Sequence, residues 1–194
     1  AVTNSLTNGT GLGAVTESAL TGISNLIGNL QAKITQLADG AIGNNQRTIY
    51  AADFSAMTNQ ISTFIEQAKY NGVNLLSNNS ASQSSVNTAF TAFAVSSVSS
   101  VSAATSALTS LTTFKATISA ALGNNAADTR TLRLQSNMLN AIVDSTTQGL
   151  GATVDADLGK ASASAQSRQV QQQLAVQQLS IANERPQLIL GIVR

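Results

Sequence analysis

The closest pair of carboxylates in this chain is Asp155 and Asp157, two residues apart in Val154-Asp155-Ala156-Asp157-Leu158. Paired acids can divide acid and base work or hold a divalent cation, but at a helix start this spacing points them apart. The pair fits an N-cap and first turn better, where carboxylates accept unpaired backbone N–H groups and face the positive end of the helix dipole. Gly9, Gly11 and Gly13 are spaced like parts of a phosphate loop. A strand should precede such a loop and a lysine should follow it, and neither does. Residues 1–13 therefore read as a helix remnant or flexible entry. Histidine and cysteine are both absent, which removes Ser-His-Asp and Cys-His catalysis, thiolate chemistry, disulfides and the commonest metal ligand. No cluster suits zinc, calcium or iron. Arg130 and Arg133 share a helix face and suit ion pairs with acids on a neighbouring subunit better than an anion site. The expected catalytic, cofactor and metal sites are none, and an enzyme is the least favoured class. Asn8-Gly9-Thr10 and Asn78-Asn79-Ser80 match the N-glycosylation pattern, which is too common to carry weight.

Composition narrows the classes further. The 194 residues suit one or two domains, and a net charge of +1 gives no reason to expect nucleic-acid binding. Hydrophobic residues make up 43%, yet only 4% are aromatic and 10% charged, so Ala, Ser, Thr, Asn and Gln do the filling. That is the composition of slender helices with thin seams rather than a thick core. No apolar run is long enough for a membrane helix, so no membrane insertion is expected. No cleavable signal is expected, and Ala1 is not a start methionine.

The elements follow from periodicity. Leu20, Ile23, Ile27, Leu30, Ile34, Leu37 and Ala41 recur at three- and four-residue steps, predicting a first helix over 14–41 with a coiled-coil seam. Thr16 or Ser18 can cap its start, and Gly40, Gly43 and Asn44-Asn45 end it. Gly22 and Gly28 lower helix propensity by about 1 kcal/mol each and suit close approach of another helix. Tyr50, Phe54, Met57, Ile61, Phe64 and Ala68 predict a second helix over 48–68, antiparallel to the first because the turn is short. Asp53 and Glu66 lie on other faces and read as solvated. Asn71-Gly72 is a strong turn signal, followed by an extended piece over 73–76. Residues 77–102 are rich in Ser and Asn, too short for a domain, with Phe90, Phe93, Val95, Val98 and Val101 predicting a short strand or loop. A return helix over 103–149 carries Leu108, Leu111, Ile118, Leu122, Leu132, Leu139 and Val143, with Phe114 beside the stripe. Gly123-Asn124-Asn125 would break it on sequence alone. Gly149 and Gly151 read as a joint to a C-terminal helix, on which Val170, Leu174 and Ile181 share one side. Pro186 and the apolar tail Leu188-Ile189-Leu190-Gly191-Ile192-Val193, ending on Arg194, close the chain.

The C-terminal run resembles the end of a bacterial flagellin of the short alphaproteobacterial kind. The matching positions are Asp155, Asp157, Gln173, Leu174, Leu179, Ile181, Ala182, Asn183, Leu190 and Arg194. Lys69-Tyr70-Asn71-Gly72-Val73-Asn74-Leu75-Leu76 resembles a second motif of that family, and the likeness covers nearly the whole chain except 77–102. The resemblance implies a mainly all-α fold: an elongated antiparallel helical bundle with a small β-hairpin region and a C-terminal polymerisation helix. It implies one continuous return helix through Gly123-Asn124-Asn125. It divides the chain into 1–76, the N-terminal half of the rod core; 77–102, a short variable region; 103–153, the return helix; and 154–194, the inner-tube helix. The stripes of the first three helices hold the rod, whereas Val170, Leu174, Leu179, Ile181, Leu188, Leu190, Ile192 and Arg194 carry polymerisation and chaperone binding. Implied partners are other flagellin subunits, the export chaperone, and the filament cap and hook–filament junction proteins. The location is the secreted, extracellular filament, and glycosylation of the variable region is a family trait that plain solvated serines outweigh. The family's N-terminal segment is expected to be missing, so that the chain cannot form normal filaments by itself and its C-terminal helix is ordered only with a partner. Asn29, Gln31 and Ala32 stand where some flagellins present charges to an innate toll-like receptor, which implies weak or no recognition. Alternatives are a flagellin-like glycan-binding or adhesion protein, against which the lack of tryptophan argues, and the hook–filament junction protein.

Overall fold

The computed structural model describes the backbone of residues 2–77, 83–96 and 98–192, and side chains through residue 182. The order is α1 (Val2–Ala38), α2 (Asn44–Gln67), β1 (Lys69–Tyr70), β2 (Val73–Asn74), α3 (Ser84–Ala94) and α4 (Val101–Ile192). The chain divides into two units, residues 1–139 and 140–194.

In the first unit, the α1 seam is buried from end to end: Leu6, Gly13, Thr16, Leu20, Ile23, Ile27, Leu30, Ile34 and Leu37 repeat at heptad spacing. α2 returns antiparallel, with Phe64 against Gly22 and Asp53 beside Lys33. A Cβ at Gly22 would sit 3.1 Å from the Phe64 ring, the close approach its residue type suits, whereas Gly28 faces open space. The buried line of α2 is Phe54, Thr58, Ile61 and Ile65, with Tyr50, Met57 and Phe64 half-buried beside it. Arg47 closes the turn: its guanidinium donates to the Leu37 and Asp39 carbonyls, supplying the positive charge that the α1 C-terminus lacks in its own last turn.

Asn71 and Gly72 both take positive φ, 49° and 80°, as a two-residue hairpin turn requires, and register Tyr70 opposite Val73. Asn74 is buried because its carboxamide ends α2: Nδ2 donates to the Ile65 carbonyl at 2.6 Å and Oδ1 accepts from the Leu76 amide at 2.8 Å.

Several elements differ from the sequence expectations. α1 starts at Val2, so Gly9 and Gly13 belong to a helix, and Thr16 and Ser18 lie inside it; the Thr16 hydroxyl donates to the Leu12 carbonyl at 2.8 Å. Asp53 is not simply solvated, since its carboxylate sits 3.0 Å from Lys33 Nζ. The expected strand or loop after residue 83 is helix α3, whose Val86 and Phe93 are fully buried. Its aromatics bind it to the bundle: Phe93 stacks on Phe114 at 5.8 Å and meets Phe54 edge-on at 5.7 Å.

α4 shows neither a break at Gly123-Asn124-Asn125 nor a joint at Gly149 and Gly151. No residue there takes the positive φ that a C-terminal stop would use, and the Thr153 hydroxyl donates to the Gly149 carbonyl at 2.9 Å within continuing helix. Asp155 and Asp157 therefore lie in the interior of α4, not at a cap, since no non-helical residue precedes them. The buried seam of α4 is Ala104, Ala107, Leu111, Phe114, Ile118, Ala121, Asn125 and Thr129. Phe114 is central to it, Leu108, Leu122, Leu132 and Leu139 are half-buried at its flank, and Val143 is exposed.

α4 runs antiparallel to α1, with Asn125 opposite Gly13 and Leu132 opposite Gly9. Asn125 Nδ2 donates to the Gly13 carbonyl at 2.9 Å. A helical carbonyl already holds its own backbone partner, so this bond uses the spare lone pair and matches a polar α4 residue to bare α1 backbone.

Candidate assembly surface

Along α4, Val143, Leu150, Val154 and Leu158 recur at steps of seven, four and four, then Val170, Leu174 and Ile181 at four and seven. The same spacing closes a seam in the first unit. In the second unit every described side chain, residues 140–182, is exposed. Leu150 is 64% exposed, Leu158 63% and Leu179 67%.

The polar residues between them tie themselves down locally. The hydroxyls of Thr146, Thr147 and Thr153 donate to the carbonyls of Ile142, Val143 and Gly149, four residues earlier, at 2.7–2.9 Å. Their hydrogen-bonding need is thereby met within the helix, and their methyls remain as apolar surface. Gln fills most of 169–178, with Val170, Leu174, Ala175 and Val176 between.

The remaining expected assembly residues, Leu188, Leu190 and Ile192, lie on the α4 backbone with side chains outside the described set; Arg194 lies outside the described residues. Asp144, Asp155, Asp157, Lys160 and Arg168 are exposed charges on this stretch. Among the described residues there is no group of three acids, histidines or cysteines that could hold a metal ion, and no helix is long and apolar enough to cross a membrane.

Sequence reasoning missed the polar contact of Asn125 with Gly13, the α3 aromatics in the core and the Arg47 cap. A signal for the first was present. Gly9 and Gly13, four residues apart, share one helix face, and small residues so placed mark close helix approach rather than a loop.

A closed bundle and a long helix whose described apolar side chains are uncovered are the parts of a helical structural protein. Comparison with known proteins gives the family. The model of the bacterial flagellin N-terminal helical region matches residues 1–81. Flagellin FljN of Caulobacter vibrioides is 36% identical over 211 aligned residues, spanning 100% of this chain and 77% of that protein. Flagellin FljM of the same organism is 31% identical over the same spans. A Brucella melitensis flagellin is 50% identical over 60 residues, 31% of this chain and 21% of its own. The crystal structure of Bacillus cereus flagellin shares the fold, with a TM-score of 0.63 at 15% identity over 70% of this chain and 88% of that one. The chain belongs to the bacterial flagellin family, of the short alphaproteobacterial kind: a structural subunit of the flagellar filament, not an enzyme. Nothing in these likenesses favours the adhesion or hook–filament junction alternatives.

Proposed function

We propose that the α4 stretch from Asn140 onward is the polymerisation surface, buried against helices of other flagellin subunits when the filament forms. The observation that carries this reading is the exposure of Ile142, Val143, Leu150, Val154, Leu158, Val170, Leu174, Leu179 and Ile181, with Val143, Leu150, Val154 and Leu158 on one side of the helix and Val170, Leu174 and Ile181 on another. Burying each contributes on the order of 1.5–3 kcal/mol. That burial adds to the helix's own backbone hydrogen bonds against the cost of ordering the chain and of losing subunit freedom. Leu188, Leu190, Ile192 and Arg194 extend the same surface by the family resemblance.

The same reading has the subunit exported and assembled outside the cell. An export chaperone covers the surface beforehand, and the cap and hook–filament junction proteins meet it at the filament ends. Coverage by a chaperone follows from the physical problem: a free apolar stripe associates non-specifically unless something shields it. Recognition by an innate toll-like receptor is expected to be weak, because Asn29, Gln31 and Ala32 present exposed but uncharged surface on α1. A receptor reporter assay with full activation would contradict this.

Amide hydrogen exchange on free subunits and on filaments tests the polymerisation surface. Residues 140–182 should exchange rapidly in the free subunit and become protected in the filament. Leu150→Asp with Leu158→Asp should abolish assembly while leaving exchange in residues 14–121 unchanged. Normal filaments from that double variant would reject the reading.

A further inference from the structure

The first unit holds an open cleft of about 440 Å³ where α1, the hairpin and α4 meet. Its walls carry Thr7, Thr10, Tyr70, Arg133, Ser136 and Asn137. The cleft is a built feature. A Cβ on Gly11 would lie 2.7 Å from Tyr70 Cζ and 2.9 Å from its hydroxyl oxygen, so the tyrosine occupies its place only because residue 11 is bare. Asn71 Nδ2 donates to Asn8 Oδ1 at 3.4 Å, a second tie between hairpin and α1.

The charge on these walls is one-sided. The Arg133 guanidinium is their one charged group and no carboxylate is present; the Tyr70 phenol, the Ser136 hydroxyl and the Asn137 carboxamide can add donors, whereas the Thr7 and Thr10 hydroxyls already donate to the Thr3 and Thr7 carbonyls. Arg133 is exposed, and the only ion pair among the described residues is Lys33 with Asp53. Charged residues are only 10% of the chain, and Arg133 is the one charge on these walls. Its planar fork matches a carboxylate. Candidates on the exposed part of α4 are Asp144, Asp155 and Asp157, each without an ion-pair partner among the described residues.

We propose that this cleft is a socket for a second copy of the chain, in which Arg133, aided by the Tyr70 hydroxyl, receives the carboxylate of Asp144, Asp155 or Asp157 of a neighbouring subunit. The socket sets which subunits meet and in what register, while apolar burial supplies most of the affinity. The proposal rests on the filament reading. That reading is judged by the Leu150→Asp and Leu158→Asp pair, independently of any charge at Arg133.

The test uses filaments sheared from cells making the full-length protein, compared with their dissociated subunits. Arg133→Glu should raise the critical concentration for assembly about two- to tenfold and reduce the salt sensitivity of filament melting, with the melting of free subunits unchanged. Arg133→Gln should act in the same direction with a smaller effect. Tyr70→Phe should have the smallest effect. Combining Arg133→Glu with Asp144→Arg, Asp155→Arg or Asp157→Arg should restore assembly in one of the three combinations. Wild-type filament stability and salt response in Arg133→Glu, or restoration in none of the three combinations, would overturn the socket.

Discussion

α4 contains two stretches that share a helix, a residue palette and a spacing, yet differ in what surrounds them. Up to Thr129 its seam is closed: Leu111, Phe114 and Ile118 are at most 2% exposed. After Leu139 the described leucines and valines all face solvent. The second stretch also lacks any aromatic residue, whereas the first has Phe114 with Phe90 and Phe93 packed against it. Local sequence decides that both stretches are helical. Whether a seam is a core or a surface depends on the neighbours the rest of the chain supplies. α1, α2 and α3 supply them for the first stretch; assembly is proposed to supply them for the second.

The sharpest way to break this comparison is to open the closed seam. Phe93→Ala or Phe114→Ala removes a ring from a stacked aromatic cluster in which both residues are fully buried. Urea unfolding should show a loss of about 3–5 kcal/mol for either. A loss below about 1 kcal/mol would mean that α3 is not part of the core, and that the Ser-rich segment is an appendage after all.

A smaller effect is expected where α1 and α4 approach most closely. A Cβ on Gly13 would collide with the Thr129 hydroxyl, the one buried side-chain polar atom without a partner among the described residues. Gly13→Ala should cost about 1–3 kcal/mol through overpacking. Thr129→Ala removes both the obstacle and an unsatisfied hydroxyl, so adding it should recover most of the loss. Thermal melts of the four proteins in that double-mutant cycle measure the coupling. Strictly additive losses would place the clash elsewhere.

That site also shows what was legible in the sequence and what was not. The α1 seam and the Asn71-Gly72 hairpin were readable because each is local: a heptad stripe and a turn that needs positive φ announce themselves in a few residues. α3 was not. Its serines, threonines and Asn87 are weak helix formers, and burial of Phe90 and Phe93 against Phe114 and Phe54 overrides propensity. Asp155 and Asp157 looked like a cap because the glycines before them looked like a break. A helix tolerates such glycines at roughly 1 kcal/mol each when no proline or positive-φ stop enforces an end. Asn125 failed to read as seam because its partner, the Gly13 carbonyl, is 112 residues away. The proposed assembly surface was legible as apolar residues at helical spacing; that its described part stands uncovered is knowledge only the structure supplies.

Arg47 gives a still smaller expected change. Its two bonds to the Leu37 and Asp39 carbonyls hold the α1–α2 turn, partly buried, at the negative end of the α1 dipole. Arg47→Gln should lower stability by about 1 kcal/mol, with added salt narrowing the difference. An unchanged melting temperature at low salt would show that the turn is held by Gly43 and its backbone alone.

The smallest effect in the free subunit is expected in the open seam, and its smallness is the point. Leu158 is 63% exposed, and no other apolar side chain covers it among the described residues of its unit. Leu158→Ala should change subunit stability by less than about 0.5 kcal/mol, since surface substitutions away from caps and cores rarely do more. Alanine is the better helix former, so even the sign can favour the variant. In filaments the same substitution should lower the depolymerisation temperature, because a leucine buried on assembly then loses its contacts at about 2–5 kcal/mol per site. Two melts of one variant therefore separate the two readings of this stretch. A large loss in the free subunit would mean the seam is already covered within one chain. No loss in the filament would mean that Leu158 stays in water after assembly, and the polymerisation face would have to be sought on another side of α4.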